Sequence, residues 1–514
     1  MRFLRALIVL VAVVAIAIVV LRVLFPLPSL DGREDSARIP ASAETTLGAA
    51  ILPRAEAQPG GTGIWPLADG RESFAARVLL ARAAEQSIDV QYYIWQTDTT
   101  GWILLDELRQ AAERGVRVRL LLDDNGIPGL DEELAALDAL PQVEVRLFNP
   151  FTLRQPKLLS YAFDFPRLNR RMHNKSMTVD GVATVVGGRN VGDIYFGYGA
   201  GVHYFDADVL AVGDAADAVA DDFDRYWTSG SAYPAGLILN EAPEGLASIA
   251  AAAEAARATA DGVGYAAAVA SAPLVQRLRD GTLALEWGEV TLYSDDPAKG
   301  LGQAPDSDLL ISRIAELASA QHSFDLVSAY FIPGAAGTDV LTRLAGEGVR
   351  TRAMTNSLVA TDVAVVHSAY MTYREALIDG GVEVLELRES AEQEVDRDLS
   401  TMIVGSASSL HAKTFAIDGE MIFVGSFNFD PRSARLNTEM GLLIPSPRMA
   451  QGLARALDAP EPYYRVRRGR DGALEWVETA DGGAETVHPG EPETSAFRLM
   501  MLRAVSWLPV EWML

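Results

Sequence analysis

Two stretches of this sequence carry the same reactive residue types at the same spacing. The first contains His173, Lys175, Asp180, Gly181, Gly188 and Asn190; the second contains His411, Lys413, Asp418, Gly419, Ser426 and Asn428. An imidazole, an ammonium and an amide form a set suited to a phosphodiester. Cations neutralise charge developing on the phosphoryl oxygens. A neutral imidazole attacks phosphorus, and a protonated one donates to the departing alkoxide. One copy supplies half of that apparatus, so the two copies must face each other around one phosphorus atom. A lone histidine at a strand end is more often a packing residue than a catalyst. Here there are six histidines, and two of them sit in matching frames, which favours the joint catalytic reading.

The spacing also indicates what positions these groups. Asp-Gly among β-forming residues is a tight hairpin turn. Each motif then reads as two strands joined at Asp180-Gly181 or Asp418-Gly419. Alternation along a strand puts His173 with Lys175, and His411 with Lys413, on one face. Asn190 and Asn428 follow the return strand, close to where the first strand began. The two turn aspartates read mainly as scaffold. Upstream of the first motif, a strand at 87–95, a helix at 103–114 and a strand at 116–122 give β-α-β order. The order returns as a strand at 323–328, a helix at 339–346 and a strand at 349–355. The landmarks repeat at offsets of 236, 233 and 238 residues, the mark of an internal duplication. The expectation is an α/β chain of two repeats, each a largely parallel sheet covered by helices.

The chain has 514 residues, 49% apolar and 22% charged, a balance that folds into more than one domain. It carries 69 acidic against 44 basic side chains, a net charge of −25. That field repels polyanions, so nucleic acid is not an expected partner, and it opposes adsorption of the whole surface to anionic lipid. With no cysteine, disulfides, zinc-thiolate sites and cysteine nucleophiles are excluded. Arg2 and Arg5 precede an uncharged run, Ala6 to Leu21, a little short of the ~20 residues a span prefers. Snorkelling of Arg22 extends the run to Phe25. Ala41-Ser42-Ala43 lies too far on to be a good cleavage site. An uncleaved anchor at residues 1–28 is therefore expected, with the bulk of the chain outside the cytoplasm.

Residues 29–70 read as a Pro/Gly/Ala/Ser-rich tether. The first repeat is assigned to 71–235 and a connecting segment, with a helix at 246–260, to 236–304. The second repeat is assigned to 305–460. Residues 461–514 hold a hairpin at Asp471-Gly472 and an apolar tail that is either interfacial or docked. Arg154, Lys157, Arg167, Arg170 and Arg171, interleaved with Leu158, Leu159, Tyr161, Phe163 and Phe165, form a patch that either receives lipid or pairs with local acids. Asn356, Ser357 and His367 are further candidates for lining a pocket.

The doubled pattern H-x-K-x4-D-x6-G-(S/G)-x-N resembles the phospholipase D superfamily over roughly residues 70–460. The surroundings are similar to the bacterial C-type cardiolipin synthase branch. They are 171–175, 188–193, 430–439 and the ending Leu508-Pro509-Val510-Glu511-Trp512. The resemblance implies two phospholipase D-like repeats related by a pseudo-twofold axis, each a mixed sheet flanked by helices. It implies a site at their interface, with no metal or other cofactor. It implies His173 as nucleophile and His411 as acid, although near-symmetry does not force that order. An acid after each motif would orient an imidazole: Glu439 in the second half, and Asp206, with Asp208 as alternative, in the first. Such a carboxylate is expected to raise the imidazole pKa. Asn190, Asn428, Ser426 and Gly188, which lacks the Ser426 hydroxyl, would meet substrate. The implied activity is phosphatidyl transfer at a bacterial inner membrane. It would make cardiolipin from phosphatidylglycerol and a second phospholipid, phosphatidylethanolamine being one candidate. Hydrolysis of phospholipid or nucleic acid, or catalytically inert lipid binding, remain as alternatives.

Overall fold

The computed structural model describes residues 2–514 except 59, 198–202, 318–319, 389–408, 460–461, 481 and 508–510. Part of the Leu508–Trp512 ending therefore lies outside the described residues. The strands of the first half are β1 (Gly61–Leu67), β2 (Ser87–Tyr92), β3 (Arg117–Asp123), β4 (Val143–Phe148), β5 (Ser176–Val179), β6 (Ala183–Gly187), β7 (Tyr204–Phe205), β8 (Asp208–Gly213), β9 (Ala232–Pro234) and β10 (Glu286–Glu289). Those of the second are β11 (Thr291–Ser294), β12 (Ser323–Ser328), β13 (Arg350–Asn356), β14 (Glu383–Leu387), β15 (Ser409–Leu410), β16 (Lys413–Ile417), β17 (Met421–Gly425), β18 (Met440–Ile444), β19 (Tyr463–Arg468), β20 (Leu474–Thr479) and β21 (Glu485–His488).

Among the described residues one sheet runs β10-β1-β8-β6-β5-β2-β3-β4-β9 and another β11-β18-β17-β16-β12-β13-β14-β19-β20-β21. The duplication is plain in this order: β8-β6-β5-β2-β3-β4 corresponds to β18-β17-β16-β12-β13-β14. Both sheets are mixed. Only β2-β3-β4 and β12-β13-β14 are parallel, because helical crossovers such as Thr99–Glu113 and Gly334–Gly346 join them. The hairpins β5-β6 and β16-β17 are antiparallel, so the largely parallel sheet expected from the upstream strands is confined to three strands per repeat.

The sheets pack face to face, and the period of two decides which side chains meet. Along β8, Val209 and Ala211 join Val327, Ile422 and Val424 in the core between the sheets. Leu210 and Val212 face the other way, into the helical layer of the first repeat. Phe423, between Ile422 and Val424, likewise points to the helices of the second repeat. The connecting segment contributes β10 to one sheet and β11 to the other, and holds the expected helix as Gly245–Arg257.

Two boundaries depart from the sequence expectation. Residues 29–70 are not a free tether. Helix Thr46–Glu56 packs by Leu47 and Ile51 into the first core, and β1 pairs between β8 and β10. Arg33 donates to the carbonyls of Thr228, Ser229 and Ala232, and Arg38 pairs with Asp217 and Asp221. The polar composition is therefore used in fixed contacts. The 461–514 hairpin is the expected β19-β20 pair, yet β19 also pairs with β14, so it extends the second sheet.

Helix Arg2–Leu24 is long and apolar enough to cross a membrane, and none of its residues is buried. Its end does not snorkel freely. Arg22 Nε donates to the Phe163 carbonyl at 2.6 Å, and Phe25 stacks on Phe163 at 6.2 Å.

Candidate active site

Each histidine is fixed first by its backbone. His173 N donates to the Thr438 carbonyl at 2.9 Å and Thr438 N to the Arg171 carbonyl at 3.0 Å, a short parallel pairing between the repeats. In the mirror arrangement β15 pairs with β7, and His411 N donates to the Phe205 carbonyl at 2.7 Å. Thr438 precedes Glu439, and Phe205 precedes Asp206. The backbone pairing therefore delivers each carboxylate to the histidine of the opposite repeat. His173 Nδ1 donates to Glu439 Oε2 at 2.8 Å, and His411 Nδ1 to Asp206 Oδ2 at 2.5 Å. With Nδ1 engaged, Nε2 of each ring is the nitrogen left for phosphorus. Asp208 serves elsewhere, in a buried pair with Arg77 at 3.0 Å.

The lysines flank the rings. Lys175 Nζ donates to the His173 carbonyl at 2.7 Å, and Lys413 Nζ to the His411 carbonyl. Both ammonium groups are buried, and burial depresses both pKa values against the pull of Glu439 and Asp206. His173 and His411 are each only 6% exposed. Tyr93 meets His173 edge-on at 5.1 Å, while Tyr204 stacks on His411 at 4.9 Å and Tyr195 meets it edge-on at 5.2 Å.

The expectation that a carboxylate raises the imidazole pKa is reversed. Burial, then Lys175 and Lys413, hold His173 well below its ordinary value. Burial and Lys413 lower His411 to about 4 despite Asp206. Burial, acting with the neighbouring lysines, keeps both rings neutral near pH 7. The carboxyls differ. Burial raises Asp206, but Lys413 and His411 outweigh it and hold the group below its usual range. Burial dominates at Glu439 and pushes it to about 7 against Lys175 and Ser426.

The positions that differ between the motifs meet these two carboxyls differently, and the Ser426 hydroxyl works against the rise at Glu439. Ser426 Oγ donates to Glu439 Oε2 at 2.6 Å, and Ser433 Oγ to Oε1 at 2.8 Å. At Gly188 a Cβ would stand 2.0 Å from Asp206 Oδ1. Glycine is required for Asp206 to reach His411. Asn190 Oδ1 accepts from Ile94 N at 3.2 Å, and Asn428 is buried with no hydrogen-bond partner at Oδ1.

Asp180 and Asp418 are not brought to the histidines. Each sits at its hairpin turn with a positive φ, 50° and 55°. Asp180 accepts from the backbone N–H groups of Glu85, Gln86 and Ser87, and Asp418 from those of Gln321, His322 and Ser323. Both carboxylates tie the turn to the start of the neighbouring strand, the opposite end of the hairpin from the histidine. They belong to the scaffold.

Other candidates sort out similarly. Asn356 clamps Leu410 through both amide atoms, at 2.9 and 2.8 Å, and so holds the residue before His411. Ser357 N donates to the Leu387 carbonyl. His367 lies instead beside Glu491 and Glu386, where Arg374 pairs with both carboxylates at 2.7 and 2.9 Å. The basic patch is neutralised locally. Arg154 and Lys157 pair with Asp124 and Asp131, Arg167 with Asp164, and Arg171 with buried Asp123. Arg170 donates to the carbonyls of Lys299 and Arg435.

Sequence reasoning missed the three tyrosines and the support beneath Glu439. Asp295 Oδ2 accepts from Glu439 N at 2.9 Å and pairs with Lys299 at 2.7 Å. Lys299 Nζ also donates to the Ser433 carbonyl at 2.7 Å. Tyr93 carried a usable signal, since it follows β2 at the carboxyl edge of the parallel strands, where α/β sites gather. Asp295 and Lys299, inside the connecting segment, carried none.

Two repeats that exchange histidine–carboxylate pairs across a common core define a phospholipase D-like protein. A family model described as "Cardiolipin synthase, PLD-like domain" matches residues 79–227 and 313–459. The chain is 46% identical to "Cardiolipin synthase C" of Escherichia coli (strain K12) over 472 residues, covering 91% of this chain and 99% of that protein. It is 28% identical to "Cardiolipin synthase" of Staphylococcus aureus (strain N315), covering 82% and 72%. In structure it is similar to a phosphatidylserine synthase of Haemophilus influenzae Rd KW20, with a TM-score of 0.55 and 16% identity over 90% of this chain and all of that one. The chain belongs to the cardiolipin synthase family of phospholipase D-like enzymes.

Proposed function

We propose that the protein is a membrane-anchored phosphatidyltransferase that makes cardiolipin through a phosphohistidine. One observation carries the reading: two imidazoles, each bonded through Nδ1 to a carboxylate of the opposite repeat, share a buried site with two lysines. In this scheme neutral His173 attacks the phosphorus of a phosphatidyl donor through Nε2. The bond to the headgroup oxygen breaks, and His411 gives that oxygen its proton. The glycerol hydroxyl of phosphatidylglycerol then attacks the phosphohistidine and surrenders its proton to His411. Cardiolipin leaves, and His173 is again neutral.

The assignment of roles follows from the unequal carboxyls. A bound phosphodiester adds negative charge and lets one ring hold a proton. His411 has the more acidic partner, Asp206, and Glu439 tends to keep its own proton near pH 7. The imidazolium is therefore favoured at His411, which leaves His173 as nucleophile. Lys175 and Lys413 stabilise the trigonal-bipyramidal phosphorane charge. Asn190, Asn428 and Ser426 complete the phosphate surround. The docked end of helix Arg2–Leu24 supports an uncleaved anchor, and Arg2 and Arg5 favour a cytoplasmic N-terminus.

The test is to supply the purified full chain with phosphatidylglycerol, with and without phosphatidylethanolamine, and to measure cardiolipin. Cardiolipin is expected, lost in His173→Ala. Phosphatidic acid as the sole product would make the protein a hydrolase.

A further inference from the structure

The loop after β4 carries large apolar side chains that the fold does not cover. Leu158 is 77% exposed, and Leu159 and Phe165 are also uncovered. Charge does not explain the patch, because its basic residues are paired with acids or backbone carbonyls. What remains for an outside partner is the hydrocarbon of Leu158, Leu159 and Phe165.

Three contacts say where this surface lies. Arg22 and Phe25, at the end of the apolar helix, bind Phe163, and the Phe25 carbonyl accepts from Thr152 Oγ1 at 2.9 Å. The loop is thus held within about a turn of the point where the anchor leaves the bilayer. On its other side Phe165 meets Trp512 at 6.4 Å. Arg432 fixes that tail, donating to the carbonyls of Met513 and Leu514 and to Asn169. Helix Ala496–Val505 and the turn after it add exposed Phe497, Met500 and Trp507, the last 86% exposed. The tail is docked, through Arg432 and buried Leu502, and still presents large apolar side chains outward.

The loop also borders the candidate active site. Tyr161 Oη donates to Asn125 Oδ1 at 3.2 Å, and Asn125 Nδ2 to Tyr93 Oη at 3.4 Å. Tyr93 lies against His173. From these contacts we infer that the 157–165 loop and the C-terminal helix form a lip that inserts into the leaflet from which the anchor emerges. Lipid would then pass from that leaflet to His173 without crossing water. Insertion is hydrophobic rather than driven by anionic headgroups. The inference rests on the proposed function, because it supplies the route for that function's substrate.

The chain has no cysteine, so single cysteines can be labelled in the full protein. Leu158→Cys, Phe497→Cys and Glu420→Cys would each carry an environment-sensitive fluorophore. The proteins would be reconstituted into phosphatidylglycerol–phosphatidylethanolamine vesicles containing lipids nitroxide-labelled on the acyl chain. Glu420 lies beside the β16-β17 turn, at the far end of the strand from His411. Strong quenching is expected at 158 and 497 and none at 420. Quenching at 158 no greater than at 420 overturns the lip. Leu158→Glu combined with Leu159→Glu is expected to lower turnover on vesicle lipid at least tenfold more than turnover on monomeric short-chain phospholipid. An equal change on both substrates also overturns it. Quenching without cardiolipin synthesis would sink the proposed function and leave the lip standing; cardiolipin synthesis without quenching would do the reverse.

Discussion

Replacing Glu439 by glutamine separates the chemical use of this carboxyl from its cost to the fold. Glu439 is fully buried, and burial raises its pKa from 4.5 to about 7. In the unfolded chain the proton leaves near 4.5; in the folded chain it stays until about 7. Between those values the folded state holds the extra proton, so stability falls as pH rises, and the loss levels off above pH 7. At about 1.4 kcal/mol per unit, the shift corresponds to about 3 kcal/mol at pH 8. Glutamine cannot ionise, yet its carbonyl can still accept from His173 Nδ1 and Ser426 Oγ. Glu439→Gln is therefore expected to be about 3 kcal/mol more stable than the parent at pH 8 and little different at pH 5. With an unfolding entropy of about 2.1 cal/mol/K per residue, that is a rise in Tm of roughly 3 °C. Circular dichroism melts of both proteins in the same detergent at pH 5 and 8 would measure it. Asp430 and Asp295, raised to about 7 and about 6, owe part of that rise to the Glu439 charge, so both ionise more readily in the variant, which adds to its stability at pH 8 and leaves the direction unchanged. Cardiolipin synthesis should fall ~10²-fold or more, because an amide cannot ionise to balance the positive charge that the His173 ring gains when it is phosphorylated. A variant no more stable than the parent at pH 8, or equally stabilised at both pH values, would refute the claim that burial holds this carboxyl protonated.

Three further outcomes test the site. A phosphatidyl donor with a p-nitrophenyl leaving group needs no acid, so it should restore phosphohistidine formation in His411→Gln and not in His173→Gln; rescue of the latter alone would exchange the two roles. Gly188→Ala forces Asp206 from His411, given the 2.0 Å approach, and should lower turnover by about tenfold or more. Ser426→Ala introduces no clash and leaves the Asp206–His411 pair in place, so it should cost less turnover than Gly188→Ala, and an equal loss would contradict the steric account. Asp180→Asn or Asp418→Asn weakens three charge-assisted bonds and should lower Tm while kcat per folded molecule stays within about twofold; a fall in kcat with unchanged Tm would return these residues to the chemistry.

Much of this protein was legible before any fold was known. The two motifs, the Asp-Gly turns, the strand–helix–strand order and the duplication are local patterns, fixed by residues within a few positions of one another. They survive in the structure nearly to the residue, as in β12 (Ser323–Ser328) and the turns at Asp180 and Asp418. The N-terminal helix was equally plain, since nothing in its run of apolar residues competes with a span.

Only the tertiary structure decided who meets whom. His173 finds Glu439 across 266 positions and His411 finds Asp206 across 205, a crossing that no spacing within one repeat encodes. It also reversed the direction of the imidazole shifts, because burial and two neighbouring lysines act together. It turned residues 29–70 from tether into packed strand and helix, and paired off a basic patch with acids upstream of it. The reason is common to all of these. Burial and charge pairing depend on distances through space, and the chain sets those distances only once two sheets have closed on one core.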